Sequence, residues 1–296
     1  RLGYLFIAPF FIIYLVFTLY PMVYSIGLSF NEMDPISGNL TFVGLRHYKR
    51  LIDSNFFFDS IKNTIIIWSM SIVPQLTIAF ILSLLLHNAW FKGRSIFRNV
   101  YYFPNLVTPV TVGLLFQTLF AFPSGAINQI LQMFGAASVD FQHNPWLARL
   151  VISIAIAWSN FGYNIIYFTA GLHSISKDIY EAADVDGVNA FQKVIYITLP
   201  VMRPMVLYVL LTSVIGGLQI FDIAHVIFKD VPQNATTTMV KYMYESAFGR
   251  MQFGFGAAVS VGIFIVILVA TGIVFLLTNL KPGSGKSRKL KEEVAA

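Results

Sequence analysis

The 296-residue sequence has no cysteine, so disulfides, zinc–thiolate sites and thiol nucleophiles are excluded. Charge is nearly as scarce. Only 11% of residues are Asp, Glu, Lys or Arg, against about 25% in an ordinary soluble domain. The five histidines are scattered and never form HExxH, which leaves a metalloenzyme reading without support. No nucleophile, base and acid cluster together, so this chain is expected to catalyse nothing itself. What is abundant is apolar surface: 56% of residues are hydrophobic and the mean hydropathy is +0.70, a membrane-class composition.

A helix needs about 20 apolar residues to cross the hydrocarbon. Uncharged stretches of that order occur six times, so the expected fold is an all-α polytopic membrane protein with six transmembrane helices. The spans fall at about 2–30, 63–86, 100–122, 150–172, 204–228 and 256–280. Pro123-Ser124-Gly125 marks a turn after the third, and Asp222 interrupts the fifth. The chain begins at Arg1, and no small-residue cleavage site follows the first apolar run. That run therefore reads as a span rather than a signal peptide, with some natural N-terminus missing.

Lysine and arginine placement orients the spans. With the N-terminus, the 87–99 loop, the 174–203 loop and the 281–296 tail on one side, that side holds twelve basic and six acidic residues. The other side balances at eight and eight, so the whole net charge of +6 lies on one face. That face is expected to be cytoplasmic, with both termini inside and the basic tail read as a topology signal.

One polar cassette stands out from this apolar background: EAADVDGVNAFQKVIYITLP, residues 181–200. Ser174 and Ser176 offer N-caps before Lys177, and Asp178 and Glu181 suit an early helical turn. Ile179, Ala182 and Ala183 recur at helical spacing on one side. Asp186-Gly187 supplies a turn where positive φ is cheap. Asn189 followed by Gln192 fits a capping box opening a second helix, carrying Phe191, Val194, Ile195 and Thr198. Pro200 and Pro204 are expected to close it. By periodicity alone, any amphipathic helix pair lying at a membrane surface reads the same way.

The order of residues is more specific than their period. EAA, then Asp186-Gly187, then Ile197-x-Leu199-Pro200 resembles the EAA loop of permease subunits of binding-protein-dependent ABC importers. Val188 and Val194 depart from that pattern, where alanine and phenylalanine are usual. FVGLRHYKRLIDSNFF (42–57), GRSIFRNVYYFPN (93–105), ITLPVMRP (197–204) and FGFGAAVSV (253–261) extend the resemblance over nearly the whole chain. They look like the sugar-type members, maltose- or glycerol-phosphate-like, and like the first of the two permeases in such systems.

The resemblance implies a type I importer transmembrane fold in a prokaryotic cytoplasmic membrane. It implies an ATPase subunit pair, with ATP and Mg on that partner and no cofactor on this chain. It further implies a second homologous permease and an external or periplasmic solute-binding protein delivering a carbohydrate. Lipid surrounds the spans, and nucleic acid has no part. On this resemblance Glu181, Ala182, Ala183, Asp186, Gly187, Ile197, Leu199 and Pro200 form the ATPase-coupling loop.

The substrate path is sought among polar groups inside spans, because such groups are costly in lipid. Asn160 and Asn164 lie one turn apart on the fourth span, with Trp158 and Tyr163 nearby. Gln219, Asp222 and His225 follow at 3-residue spacing on the fifth. Amides and aromatic faces suit a hydroxyl-rich solute, although the same amides could simply bond neighbouring helices. PGSGKS at 282–287 echoes a phosphate-binding loop but has Leu280 where that pattern needs glycine. The nearest alternative is an ABC importer of the same architecture for a different solute. An ion-coupled secondary transporter is the competing class, and it would be expected to show repeated halves or broken spans with ionisable groups at midplane.

Overall fold

The computed structural model describes residues 2–87, 94–228 and 234–279. Lys92 and the 280–296 segment, including PGSGKS and the basic tail, lie outside these residues. Helix α1 covers residues 2–28, with a widened turn at Leu15–Leu19. A hairpin of β1 (Asn31–Met33) and β2 (Leu40–Phe42) follows, then α2 (Arg46–Ile52) and the long α3 (Asn55–His87). Next come α4 (Arg94–Leu106), α5 (Pro109–Leu119), α6 (Ala126–Met133) and α7 (Pro145–His173). Helix α8 (Lys177–Val185) and α9 (Ala190–Val201) lead into α10 (Arg203–Gly217) and α11 (Asp222–Ile227). The chain closes with α12, residues 239–249, and α13 (Phe253–Asn279).

Five helical stretches among the described residues are long and apolar enough to cross a membrane: Phe6–Leu28, Asn55–His87, Pro145–His173, Arg203–Ile227 and Phe253–Thr278. The third expected span, 100–122, is instead two shorter helices, α4 and α5. Pro109 forces the preceding residue out of the helical region, and Thr108 stands extended at φ −63, ψ 143. Its hydroxyl then caps α5 by accepting from Thr111 N–H at 3.4 Å. The fifth span also lapses over residues 218–221, just after Gly216-Gly217, before α11 resumes.

The all-α expectation holds; the helices are accompanied by one small hairpin, which pairs Asn31 with Phe42 and Met33 with Leu40. Its turn is tied by Asp34, whose carboxylate accepts from Ser37 Oγ at 2.6 Å and Ile36 N at 3.0 Å. Those bonds hold its pKa below the usual carboxylate range, the Ser37 bond foremost.

Hydropathy locates the hydrocarbon crossing, not the helix ends. Helix α3 therefore begins eight residues before the expected span and carries Asp59 and Lys62 on its first turns. At 33 residues it is about 50 Å long, more than the roughly 30 Å core requires.

Helices α3 and α7 form the most extensive pair in the bundle. Lipid offers no hydrophobic force between helices, so close approach of small side chains must supply the attraction. Accordingly α3 buries one stripe of Ser60, Thr64, Ile67, Ser71, Gln75, Ala79 and Ser83. The hydroxyls are satisfied locally: Ser60, Thr64, Ser71 and Ser83 each donate to a carbonyl three or four residues back. Ser153 of α7 shares its hydroxyl between Arg149 O at 2.7 Å in its own helix and Ile67 O at 3.1 Å across the pair. Beyond the α7 start, Arg149 donates to Asn63 Oδ1 at 2.7 Å and Ala235 O at 3.0 Å. This holds the chain before α12 against the hairpin end of the bundle.

Candidate coupling knuckle and translocation cavity

The polar cassette folds into a knuckle of two helices tied to each other by a small set of internal hydrogen bonds. Helix α8 ends in a Schellman pattern: Val188 N–H donates to Ala183 O at 3.0 Å and Gly187 N–H to Asp184 O at 3.1 Å. Gly187 sits at φ +73, a left-handed conformation that costs other L residues about 1–2 kcal/mol. Helix α9 opens with the capping box. Gln192 N–H donates to Asn189 Oδ1 at 2.9 Å, and Asn189 N–H donates back to Gln192 Oε1 at 3.1 Å. Lys193 and Asp184 pair across the two helices. Tyr180 and Thr198 join hydroxyls at 2.9 Å.

Three expectations about the knuckle are corrected. Ser176 occupies the N-cap position of α8, yet its side chain makes no cap bond there; Ser174 Oγ donates to Gly171 O instead. The two alanines do not share an outer face. Ala183 is only 5% exposed, facing its own bundle, whereas Ala182 is exposed. Nor does Pro200 stop the helix. The preceding turn widens over Val194–Thr198, with Leu199 N–H reaching Val194 O, so the missing proline N–H and its crowding ring are absorbed.

The outward surface of the knuckle carries Glu181, Ala182, Asp186 and Gly187 with two prominent apolar side chains, Val185 at 89% and Phe191 at 73% exposed. Ile197 is half-buried, and Leu199 and Pro200 are exposed. Helix α9 then passes through Met202 with little interruption: Met202 N–H donates to Thr198 O, and Val206 N–H to Met202 O, both at 2.9 Å. The knuckle and α10 thus form one nearly continuous rod. Arg203, at its bend, donates to Thr278 O near the end of α13, where a cation suits the helix dipole.

That rod leads to a cavity of about 420 Å³ bounded by α3, α7, α10 and the 218–221 break. Asn160, Tyr163, Asn164, Gln219 and Asp222 all line it. Trp158 does not: its ring packs on Phe116 at 5.9 Å between centroids, so its assignment to the path is corrected. His225 lies off the lining, stacked on Phe221 at 5.1 Å, with Nδ1 buried and without a hydrogen-bond partner among the described residues.

Sequence reasoning missed Trp68, Ser71 and Gln75 of α3 and Thr212, Ser213, Gly216 and Gly217 of α10. A signal was present, since Trp68, Ser71 and Gln75 recur at helical spacing inside an apolar run. Trp68 Nε1 donates to Ser213 O at 3.1 Å, and its ring lies on Gly217. A Cβ there would stand 2.2 Å from Trp68 Cδ1, so this glycine permits the close crossing of α3 and α10.

Hydrogen-bonding capacity in the cavity is only partly used. Asn160 Nδ2 donates to Ile156 O at 2.9 Å, and Asn164 Nδ2 to Asn160 O at 3.3 Å. Neither amide oxygen receives a donor among the described residues. The side chains of Gln75, Gln219 and Asp222 make no hydrogen bond among the described residues either. In a dry site such groups are costly unless a guest or water completes them.

Apolar helices, a stiff polar knuckle and an uncommitted polar cavity between spans define a multi-pass membrane transport subunit. The chain belongs to the family described as binding-protein-dependent transport system inner membrane component, whose model matches residues 52–285. It is a permease subunit, and the broken third and fifth spans therefore do not mark an ion-coupled carrier.

The chain is 34% identical to the arabinooligosaccharides transport system permease of Halalkalibacterium halodurans, over 93% of this chain and 87% of that protein. It is 32% identical to the lactose transport system permease of Rhizobium radiobacter, over 90% of each. Its fold matches a chain in the crystal structure of a bacterial ABC transporter that imports the acidic polysaccharide alginate. That match has a TM-score of 0.82 at 24% identity, covering 95% of this chain and 96% of that one.

Proposed function

We propose that this chain is a transmembrane subunit of an ATP-driven importer that carries a sugar, oligosaccharide or related polyol into the cell. Residues 1–280 act as the permease domain and 281–296 as a basic cytoplasmic tail, with both termini and the knuckle inside. Glu181, Ala182, Asp186 and Gly187 meet the partner ATPase, Ala183 and the half-buried Ile197 seat the knuckle on its own spans, and the exposed Leu199 and Pro200 complete the coupling surface along α9. Two ATPase subunits supply hydrolysis with ATP and Mg; this chain binds no cofactor. A solute-binding protein delivers the sugar at the hairpin end.

The observation that carries the reading is the cavity: unspent amide groups beside aromatic faces, at the end of a rod that begins in the knuckle. Each hydroxyl of a dehydrated sugar needs a partner, and this lining offers both amides and rings. The names of the curated relatives, which include oligosaccharide and disaccharide transport systems, agree with that chemistry. Helix α1, whose apolar window buries none of its residues against the rest of this chain, leaves a face on which a second permease could pack.

Nucleotide closure of the ATPase pair would drive the knuckle and tilt α10. Shifting such an equilibrium from 1:99 to 99:1 takes about 5.5 kcal/mol, which a loose tether could not deliver. Affinity purification of the tagged chain from its native membrane tests the assembly. An ATPase and a second permease are expected to co-purify, and reconstituted uptake of labelled oligosaccharide is expected to require ATP and the binding protein. Uptake that persists without the ATPase would overturn the reading.

A further inference from the structure

A cluster of three tyrosines runs from the cavity toward the knuckle end of the bundle, and two of them, Tyr167 and Tyr208, are not among the path residues named so far. Tyr163 lines the cavity, and Tyr167 is one turn further along α7. Their rings meet edge-on at 4.7 Å, and their hydroxyls share a hydrogen bond. Tyr208 of α10 packs on Tyr167 at 5.1 Å, and its hydroxyl donates to the Tyr167 hydroxyl at 3.5 Å. Thr212, which also lines the cavity, donates from Oγ1 to Tyr208 O at 2.9 Å. Side-chain hydroxyls therefore lead from the cavity through Tyr163 to Tyr167 and across to Tyr208.

Tyrosines that serve only as interfacial anchors sit at headgroup level with their polar tips in the wet zone. These three do the opposite: their hydroxyls converge on one another while ring surface stays open. Tyr163 is 42% and Tyr208 46% exposed. From Asn160 to Tyr167 the helix advances seven residues, about 10 Å, so the track reaches two full turns beyond the cavity's central amide.

We propose that Tyr167 and Tyr208 form a second carbohydrate subsite, a shelf on the knuckle side of the cavity that holds the leading sugar unit of a chain leaving the cavity. Aromatic faces take the apolar ring face of a pyranose or furanose, and the joined hydroxyls exchange hydrogen bonds with its hydroxyls. This rests on the carbohydrate reading above and adds that the path accommodates more than one sugar unit at once.

The absence of cysteine from this chain makes the test direct. In the complete reconstituted transporter, Tyr167→Cys and Tyr208→Cys are exposed to a charged, membrane-impermeant methanethiosulfonate from the knuckle side without nucleotide. Labelling at both positions is expected. Phe264→Cys, on the exposed apolar face of α13, is expected to stay unlabelled. Protection of Tyr167→Cys and Tyr208→Cys in every nucleotide state would mean that lipid or the second permease covers the shelf, and the proposal would fall.

The second arm measures uptake of arabinobiose, arabinotetraose, maltose and maltotetraose by wild type, Tyr208→Ala and Tyr208→Phe. Loss of ring stacking is expected to reduce uptake of the longer accepted sugar about fivefold more than that of the shorter one, with Tyr208→Phe intermediate. Equal loss for both lengths, or none, would overturn the shelf while leaving the carbohydrate reading intact. Failure of wild type to take up any sugar would overturn both.

Discussion

The knuckle and the cavity are the two polar regions of an apolar molecule, and they handle hydrogen bonds in opposite ways. In the knuckle the groups that shape the two helices are committed to one another, in the Asn189–Gln192 box, the Asp184–Lys193 pair, the Tyr180–Thr198 clasp and the Schellman turn at Gly187, while Glu181 and Asp186 stay on the outer surface. In the cavity the amide oxygens of Asn160 and Asn164 are left open. A part that transmits force is stiffened by committing its groups, whereas a part that receives a solute must keep them available. The same contrast separates Ala183, buried under the knuckle, from Gly217, which holds open a close helix crossing beside the cavity.

The sharpest way to break this contrast is to fill the cavity. Gly217→Leu is expected to drive Trp68 off α10 and abolish uptake, with assembly and basal ATP hydrolysis retained; a transport assay beside a hydrolysis assay checks both. Next, Asn160→Leu with Asn164→Leu is expected to raise the apparent KM for uptake about 10- to 100-fold, because two desolvated sugar hydroxyls lose their partners. Unchanged KM would mean these amides only knit helix α7 to itself.

Removing the cap tests the knuckle's stiffness more gently. Asn189→Ala is expected to cost about 1 kcal/mol of local stability, read as faster amide hydrogen exchange over residues 190–196 and a modest fall in coupled hydrolysis.

The smallest expected effect lies at the far end of the bundle. His47 is held below the ordinary histidine pKa, first by burial and then by Arg46 and Arg50, although its contact with Asn31 O opposes this. The neutral ring is thus the form the fold prefers. Its contribution is present above about pH 6.5 and is lost as pH falls through the depressed folded value. Thermal unfolding followed from pH 7.5 to 5 is expected to show a small loss that His47→Gln removes.

Much of both regions was legible in the sequence, for a definite reason. Where a residue type is nearly compulsory, as glycine is at the positive φ of residue 187 or as an Asx and Gln pair is in a capping box, one letter carries the geometry. Asn160, Asn164, Gln219 and Asp222 were visible because amides and acids are costly in lipid. Ser71, Gln75 and Thr212 were not singled out because small polar residues inside spans more often serve helix packing, as Ser60 and Ser83 do here. Trp158 misled through proximity along the chain, since helical rotation turns it toward Phe116. The breaks in the third and fifth spans escaped a hydropathy reading because a lapse of two residues (107–108) or four (218–221) leaves the window average almost untouched.

The central claim is that motion enters at the knuckle and reaches the cavity through α9 and α10. Its most direct measurement is aqueous labelling of Thr212→Cys in the assembled transporter, with and without ATP plus vanadate, in the wild-type knuckle and in Gly187→Val. With the intact knuckle, nucleotide is expected to change labelling at least about tenfold; with Gly187→Val the change should vanish although the complex still assembles. A nucleotide-dependent change that survives Gly187→Val at full size would contradict the account.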